Sequence, residues 1–306
     1  NMKYIKIPNS DLNASEISLG CMRIWNLEDK EISTLIHTAL DAGINFFDHA
    51  DIYGEGQSEE KFASALGMTP ALRERMLLQS KCGIRKGYFD FSKEHILEAV
   101  DGSLKRLQTD YLDVLLLHRP DALVEPEEVA EAFTHLQTSG KVKYFGVSNQ
   151  NPMQIELLKK YVKQDILFNQ LQLSITNTGM IKAGINVNME IDASVDRDGS
   201  ILDYCRLHDI TIQPWSPFQY GFFEGVFLDN PKFPGLNRVI NTFVESKGVE
   251  NTAIAIAWLL RHPAHMQPIV GTTNPQRLKD ICRASDITLT RAEWYEIYRA
   301  AGNKLP

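Results

Sequence analysis

Asp48, Lys81 and His118 each follow directly on an apolar run of this sequence. Tyr53 lies shortly after Asp48, in a loop that glycine bounds. Short apolar runs of this kind predict buried strands, and the ends of neighbouring strands lie close together. We therefore expect an acid, an amine, an imidazole and a phenol to meet in one pocket.

This set of side chains suits the protonation of a carbonyl oxygen. A phenol with its ordinary pKa of about 10 is a poor proton donor at neutral pH. A nearby ammonium lowers that pKa, so we expect Lys81 to lower the pKa of Tyr53 and Asp48 to hold Lys81 in place and charged. His118 would hydrogen-bond the substrate oxygen and orient it. The predicted chemistry is hydride addition to a carbonyl group, with Tyr53 delivering the proton and with no metal.

No side chain donates hydride, so a cofactor must supply it. Asn274 and Pro275 open a helix directly after the last predicted strand, and a helix N-terminus attracts phosphate. Arg277 lies in the first turn, where the helix dipole disfavours a cation unless an anion binds there. Thr272 and Thr273 add hydroxyl donors. A phosphate site is the prediction, and a solvated surface role for Arg277 is the alternative.

Other strand ends offer contacts for a flat heterocycle that carries a carboxamide. Trp215 ends the predicted seventh strand and is placed to stack on such a ring, although a strand-end aromatic is more often packing. Ser148, Asn149 and Gln170 lie on the predicted fifth and sixth strands. Their side chains suit the donor and the acceptor of a carboxamide.

The predicted elements alternate between strand and helix eight times, and the strands are continuous apolar runs. Such strands are typical of a sheet buried on both faces, which predicts an α/β fold, a closed (β/α)8 TIM barrel, in one domain over residues 1–306. Residues 174–199 and 216–235 show no clear period and are predicted as long loops. Residues 54–59 begin like a dinucleotide fingerprint but lack its third glycine, so we interpret them as a turn before a helix capped by Ser58.

Composition excludes several classes of protein. A net charge of −7 argues against binding to nucleic acid or to an anionic membrane surface. No apolar stretch approaches the ~18 residues that span a bilayer, and the first residues lack the apolar core of a signal peptide. The four cysteines are scattered, which predicts reduced thiols in a cytoplasmic protein. A reactive thiolate at Cys82, beside Lys81, is the less favoured alternative. We expect a monomer.

The ordered combination of these motifs resembles the aldo-keto reductase family over essentially the whole chain. The resemblance is carried by Phe47-Asp48 with Tyr53-Gly54, Ser80-Lys81, Leu117-His118, Gly146-Val147-Ser148-Asn149, Asn169-Gln170, Trp215-Ser216-Pro217, and Gly271-Thr272-Thr273-Asn274 with Arg277. It implies a (β/α)8 barrel without a Rossmann domain and the reduction of aldehydes or ketones with NADPH. It also implies a catalytic tetrad, formed by Asp48, Tyr53, Lys81 and His118.

The resemblance further implies a set of cofactor contacts. Ser148, Asn149 and Gln170 match the contacts to the nicotinamide amide, Trp215 the stacking aromatic, and Ser216, Pro217, Phe218 and Gly221 the pyrophosphate segment. Thr272, Thr273, Asn274 and Arg277 match the 2′-phosphate pocket, and Met22, Arg23, Gly271 and Asp280 complete the set. Many members carry Lys or Arg in place of Gly271, which leaves Arg277 as the main cation, and many carry Glu-Asn in place of Asp280-Ile281.

The substrate is expected to be a small carbonyl compound held by loops around the pocket. The expected walls are residues 22–25, 85–91, 174–199 and 217–230. Trp25, Tyr88, Phe89 and Phe223 are the candidate contacts, and each is as well explained by packing within its loop. Their aromatic content favours an apolar substrate.

Two other functions are compatible with the same fold. A nucleotide-sensing regulatory subunit is one, since the family includes channel-associated members, but all four tetrad positions are filled here. A Schiff-base lyase is the other, and it would use Lys81 as the nucleophile while leaving Tyr53, Trp215 and Arg277 without a role. Aldehyde reduction would identify the enzyme, and borohydride trapping on Lys81 would identify the lyase.

Overall fold

A computed structural model of the chain describes residues 1–306 and contains twelve strands. They are β1 (Tyr4–Lys6), β2 (Asn13–Ser15), β3 (Ser18–Gly20), β4 (Phe46–Asp48), β5 (Leu77–Cys82), β6 (Ile84–Arg85), β7 (Tyr88–Phe89), β8 (Leu112–Leu117), β9 (Val142–Ser148), β10 (Ile166–Gln172), β11 (Thr211–Trp215) and β12 (Ile269–Val270). Eight of them form one parallel sheet, in the order β12, β3, β4, β5, β8, β9, β10, β11. The Gln267 amide donates to the Ile212 carbonyl at 3.0 Å, which joins the two ends of that order. The predicted (β/α)8 barrel is confirmed.

Twelve α-helices pack around the strands. They are α1 (Asp29–Asp41), α2 (Gln57–Leu66), α3 (Pro70–Glu74), α4 (Lys93–Leu107), α5 (Pro126–Thr138), α6 (Pro152–Lys159), α7 (Gly179–Ile185), α8 (Ile201–Leu207), α9 (Pro234–Lys247), α10 (Asn251–Leu260), α11 (Pro275–Cys282) and α12 (Arg291–Ala300). None of these helices combines the length and the apolar character that crossing a membrane requires.

Local sequence explains most of the element boundaries. All six residues of β8 are buried, because helices cover one face of the sheet and the barrel interior covers the other. Ser92 begins α4 by accepting a hydrogen bond from the His95 amide, and Asn151 begins α6 in a capping box with Gln154. Each cap marks the end of the loop that leads from a strand into the following helix.

The hydrophobic core has two parts. A large cluster lies between the strands and the surrounding helices, as the fold requires. A smaller cluster joins Ile7, Leu12 and Ala14 of the β1–β2 hairpin to barrel residues such as Phe46 and Phe168. The hairpin therefore packs against the interior of the barrel, and the opposite, C-terminal ends of the strands form the open mouth.

Three sequence expectations are corrected here. Ser58 does not cap α2, because Gly56, with φ of 95°, occupies the cap and Ser58 is buried inside the first turn. Residues 174–199 include α7 and a short 3-10 turn, whose seven and three residues are too short to give a detectable period. Residues 216–235 are irregular as expected, but α9 already begins at Pro234.

Candidate active site

An ion pair between Asp48 and Lys81 lies at the C-terminal ends of β4 and β5. The Lys81 Nζ lies 2.9 Å from Asp48 Oδ2 and donates to the His49 carbonyl at 3.0 Å. Both side chains are buried, at 0% and 2% exposure. Two buried charges are stable only when they are paired and hydrogen-bonded, so the two strands fix each other's terminal side chains.

Tyr53 reaches the same ammonium from the loop that follows β4. Its hydroxyl lies 2.8 Å from the Lys81 Nζ. The loop turns sharply at Gly54, whose φ is 59°, and a Cβ there would lie 2.5 Å from the Cγ of Trp25. Only glycine combines that backbone conformation with so close a neighbour. Trp25 and Gly54 thus set the direction in which Tyr53 leaves the strand.

The charge states of this group follow from burial and from the neighbours. Burial disfavours the Lys81 ammonium, but Asp48 and then Tyr53 outweigh it, so the pKa of Lys81 is raised. Burial raises the pKa of Tyr53 by more than Lys81 lowers it, and Asp48 adds to the rise. Lys81 does lower the pKa of Tyr53, as predicted. The net pKa of Tyr53 is nevertheless raised, contrary to the prediction, because the phenolate loses its solvation in this pocket.

His118 follows β8 and faces Tyr53, with ring centroids 6.0 Å apart and planes at 86°. Burial, Lys81 and Arg119 lower the pKa of His118 well below its ordinary value. The imidazole is therefore neutral at physiological pH and carries one N–H donor. The four side chains predicted to meet do lie together, in a setting suited to bind a carbonyl oxygen.

The mouth of the barrel holds a cavity of about 670 Å³. Of the residues singled out in the sequence, it is lined by Met22, Arg23, Asp48, Tyr53, His118, Ser148, Asn149, Gln170, Trp215, Ser216, Pro217, Phe218, Phe223, Gly271, Thr272 and Arg277. A cavity of this size lies within the range of about 300–1,000 Å³ that is usual for sites binding small molecules.

The side chains predicted to bind a carboxamide form one network. Ser148 Oγ donates to the Gln170 carbonyl at 3.0 Å, and Asn149 Nδ2 donates to Ser148 Oγ at 3.0 Å. The indole N–H of Trp215 donates to Asn149 Oδ1 at 3.1 Å. The Gln170 amide nitrogen already donates to Asp48 at 3.2 Å, so its oxygen is the atom left for a ligand.

The side of the mouth formed by β12 and α11 carries cations. Asn274 caps α11 by accepting a hydrogen bond from the Arg277 amide at 3.0 Å, which leaves the Arg277 side chain exposed beside the cavity. Arg23 comes from the loop after β3, and its Nη1 lies 3.5 Å from the Gly271 carbonyl. A guanidinium from another loop therefore lies beside Gly271, which carries no side chain of its own.

Several predicted contacts do not line the cavity. Gly221 has φ of 62° and accepts a hydrogen bond from Gln172 at 2.6 Å, so it shapes its loop. Thr273 and Asn274 lie at the start of α11 outside the cavity, and the Asp280 side chain bonds Gln276 on the surface. Their predicted roles at a cofactor stay predictions.

Most of the expected substrate contacts lie outside the cavity lining. Tyr88 and Phe89 form the exposed strand β7, at 54% and 43% exposure, and do not line the cavity. Trp25 packs against Gly54 instead of lining the cavity. Residues 174–199 contribute no lining residue, and Ile84 is the sole contribution of the β6–β7 hairpin. Aromatic lining comes instead from Phe222 and Phe223, which contact Trp215 at centroid distances of 6.2 and 6.4 Å.

Cys82 is not a reactive thiolate, because burial raises the pKa of its thiol well above the ordinary value. Its side chain points into the core and not into the cavity. The alternative of a reactive thiolate is therefore contradicted. Successive residues of a strand point to opposite faces of the sheet, so Cys82 faces away from the side that carries the Lys81 side chain.

A chain of glutamines inside the barrel was not predicted from the sequence. Gln79 donates to Asp48 Oδ1 at 2.7 Å, and Gln79 and Gln170 both donate to Gln213, at 2.9 and 3.0 Å. Gln213 in turn donates to Gln267 at 3.0 Å. These glutamines hold Oδ1 of Asp48, so that Oδ2 faces Lys81. Glutamine within an otherwise apolar strand was the signal that could have revealed it.

Comparison with known proteins bears on this site. A family model described as the aldo/keto reductase family matches residues 16–301. The uncharacterized oxidoreductase YcsN of Bacillus subtilis is 38% identical over 307 residues, which cover 95% of both chains. The 6-dehydroglucose reductase of Agrobacterium fabrum is 33% identical over 309 residues, which cover 96% of both chains.

A solved structure agrees with the fold. The aldo-keto reductase of Klebsiella pneumoniae in complex with NADPH superimposes with a TM-score of 0.79, over 100% of this chain and 97% of that one. Its sequence identity is 22%, so this likeness concerns the barrel architecture.

Proposed function

Because the chain belongs to the aldo/keto reductase family, we propose that it reduces aldehydes or ketones to alcohols with NADPH, and that Tyr53 donates the proton. The family match confirms the resemblance predicted from the sequence and the class of oxidoreductase. The proposal rests above all on one contact, the 2.8 Å between the Tyr53 hydroxyl and the Lys81 ammonium at the floor of the cavity.

The residues around the mouth fit NADPH. Arg23 and Arg277 offer guanidinium groups without carboxylate partners beside a capped helix N-terminus, which suits phosphate groups. Ser148, Asn149 and the Gln170 oxygen would hold the nicotinamide amide, and Trp215 would stack on the ring. Ser216, Pro217 and Phe218 would follow the pyrophosphate. When bound, NADPH supplies the hydride that the carbonyl carbon receives.

The tetrad would deliver the proton. The neutral His118 imidazole donates a hydrogen bond to the carbonyl oxygen and orients it toward Tyr53. The Tyr53 proton passes to that oxygen as negative charge develops on it, so the carbonyl becomes an alcohol. The phenolate left behind lies 2.8 Å from the Lys81 ammonium, which stabilises it until it takes a proton from solvent. Asp48 keeps that ammonium charged.

The geometry argues against a Schiff-base lyase. Lys81 has a raised pKa, and its side chain is fully buried in three hydrogen bonds. A nucleophilic amine must be unprotonated and within reach of its substrate. A regulatory subunit would differ from the enzyme by consuming no NADPH with any carbonyl compound.

The test is consumption of NADPH with a panel of aldehydes, ketones and quinones, for the wild type and for Tyr53→Phe. We expect the variant to lose at least about 100-fold in kcat, the usual contribution of a general acid, while binding NADPH as the wild type does. Tyr88→Phe removes a hydroxyl from an exposed tyrosine and serves as the control. Turnover by Tyr53→Phe near that of the wild type contradicts the role of Tyr53, and no turnover by the wild type on any carbonyl contradicts the function.

A further inference from the structure

Arg119 is a cation of the cavity that the proposed chemistry does not use. It directly follows His118, lines the cavity and is partly buried. Burial alone lowers the pKa of Arg119, and no carboxylate lies close enough to raise it. A guanidinium remains charged throughout the pH range of enzymes, so this side chain loses solvation without gaining a partner within the chain.

The position of Arg119 separates it from the other cations of the mouth. Arg119 follows β8, whereas Arg23 and Arg277 lie beside β3 and β12. In the barrel order, three strands separate β8 from β12 in either direction, so Arg119 enters the mouth from the side opposite α11, and its side chain extends toward Trp215 at the end of β11. A phosphate held by Arg23 and Arg277 at the start of α11 would leave Arg119 without an anion.

The surroundings of Arg119 define what kind of molecule fits beside it. Its guanidinium carbon lies 5.8 Å from the ring centre of Trp215, and Phe222 and Phe223 continue the aromatic wall. The acid of the cavity, Asp48, is already neutralised by Lys81. A ligand here meets an apolar surface with one unpaired positive charge next to the tetrad.

We propose that Arg119 binds an oxoanion of the substrate, so that the preferred substrates are apolar carbonyl compounds carrying a carboxylate or a phosphate. This inference rests on the proposed function, since it concerns the same site. The planar guanidinium matches either oxoanion through two parallel N–H donors. Bound in this way, the anionic end fixes the molecule while the carbonyl faces Tyr53 and His118.

The first test compares three aromatic aldehydes of similar shape. The anionic pair are para-formylbenzoate and para-formylphenyl phosphate, and the neutral reference is para-formylbenzamide. We expect kcat/KM of the wild type for the better anion to exceed that for the amide by about 10- to 100-fold, as for a charge-assisted contact in a partly buried site. The anion with the higher kcat/KM identifies the oxoanion that Arg119 prefers. Comparing kcat/KM of the meta and para isomers then tests the distance from Arg119 to the reacting carbonyl.

Variants then assign the preference to one residue. Arg119→Met should reduce the ratio between anion and amide to about one, mainly through KM of the anion, and Arg119→Lys should restore part of it. Arg85→Met is the matched control, because it removes the same charge from the β6–β7 hairpin beside the mouth, where Arg85 pairs with Asp90 at 3.2 Å. The control should keep the wild-type ratio.

A binding measurement keeps this inference separate from the proposed function. Calorimetry on the enzyme saturated with NADP+ compares benzoate and phenyl phosphate with benzamide, for the wild type and Arg119→Met. Tighter binding of an anion that Arg119→Met abolishes supports the inference even if no aldehyde is reduced. Equal binding of anion and amide by the wild type, or an anion preference that survives in Arg119→Met, overturns it even if every aldehyde is reduced.

Discussion

The two sides of the cavity mouth differ in how their charged groups are satisfied. On the side of β4 and β5, Lys81 donates three hydrogen bonds of 2.8 to 3.0 Å and is fully buried. On the side of β12 and α11, Arg277 is exposed, and Arg23 has a single contact of 3.5 Å. Buried charges must be paired within the protein, whereas exposed cations are solvated and can remain unpaired until a ligand binds. The first side is organised by the fold, and we infer that the second is organised by the cofactor.

Lys81→Met breaks the organised side and should have the largest effect. We expect kcat for carbonyl reduction to fall by at least about 100-fold, because the Tyr53 phenolate loses its stabilising charge. We also expect the free energy of unfolding to fall by about 3 kcal/mol, because Asp48 is left buried without its partner. Steady-state kinetics and urea unfolding measure the two losses.

Lys86→Met, in the exposed β6–β7 loop, is the control for removing one lysine charge. A Lys81→Met protein that keeps both its stability and its turnover would show that the ion pair organises neither the fold nor the chemistry.

Arg277→Ala tests the side of β12 and α11, where the cations have no carboxylate partner within the protein. We expect KM for NADPH to rise by about 10- to 100-fold, the size of a hydrogen bond to a charged group, while KM for NADH changes little. The free energy of unfolding should stay the same, because the Arg277 side chain has no partner within the chain. Arg283→Ala, at the end of α11 and paired with Asp286 at 3.1 Å, is the control. Equal changes in KM for both cofactors would reject the 2′-phosphate role.

The sequence predicted the two sides of the mouth with different success. Asp48, Lys81 and His118 could be predicted, because a polar side chain directly after a buried apolar run is a local signal in the sequence. Arg119 lies one residue after His118, and the sequence alone did not single it out. Arg277 was predicted from the helix N-terminus, whereas the neighbourhood of Arg23 and Gly271 depends on two loops that are far apart in sequence.

Long-range contacts account for what could not be predicted. Gln79 and Gln213 lie 134 positions apart and meet only once the barrel closes. The net direction of the Tyr53 pKa depends on how deeply the phenol is buried, which no local pattern records. Gly56 rather than Ser58 caps α2 because the chain enters that helix through left-handed turns.

Asp51 differs from the other charged groups near Lys81, because its carboxyl group is buried and incompletely hydrogen-bonded. Its Oδ1 is buried without a partner, and burial together with Glu59 raises its pKa to about 7. The unfolded chain releases this proton near the ordinary carboxyl pKa, so the cost to the folded state grows as pH rises to about 7 and is constant above that. Asp51→Asn removes the titration. Its stability relative to the wild type should therefore increase by about 2 kcal/mol between about pH 5 and about pH 8.

Urea unfolding of both proteins across this pH range provides the measurement. Asp41→Asn, at the exposed end of α1, is the control and should show no such trend. A difference between Asp51→Asn and the wild type that does not vary with pH would mean that Asp51 is ionised in the folded protein.

Arg23→Ala should have the smallest effect and shows which phosphate the second cation serves. Arg23 is exposed and held by one long contact, so we expect KM for NADPH to rise by only about 3- to 10-fold. If Arg23 binds the 2′-phosphate, the rise should be confined to NADPH. An equal rise for NADH would instead assign Arg23 to the pyrophosphate, which both cofactors share. Arg23→Lys keeps the charge and should recover part of the lost affinity for NADPH. Wild-type kinetics in Arg23→Ala would mean that Arg277 is the only cation beside β12 that contributes to cofactor binding.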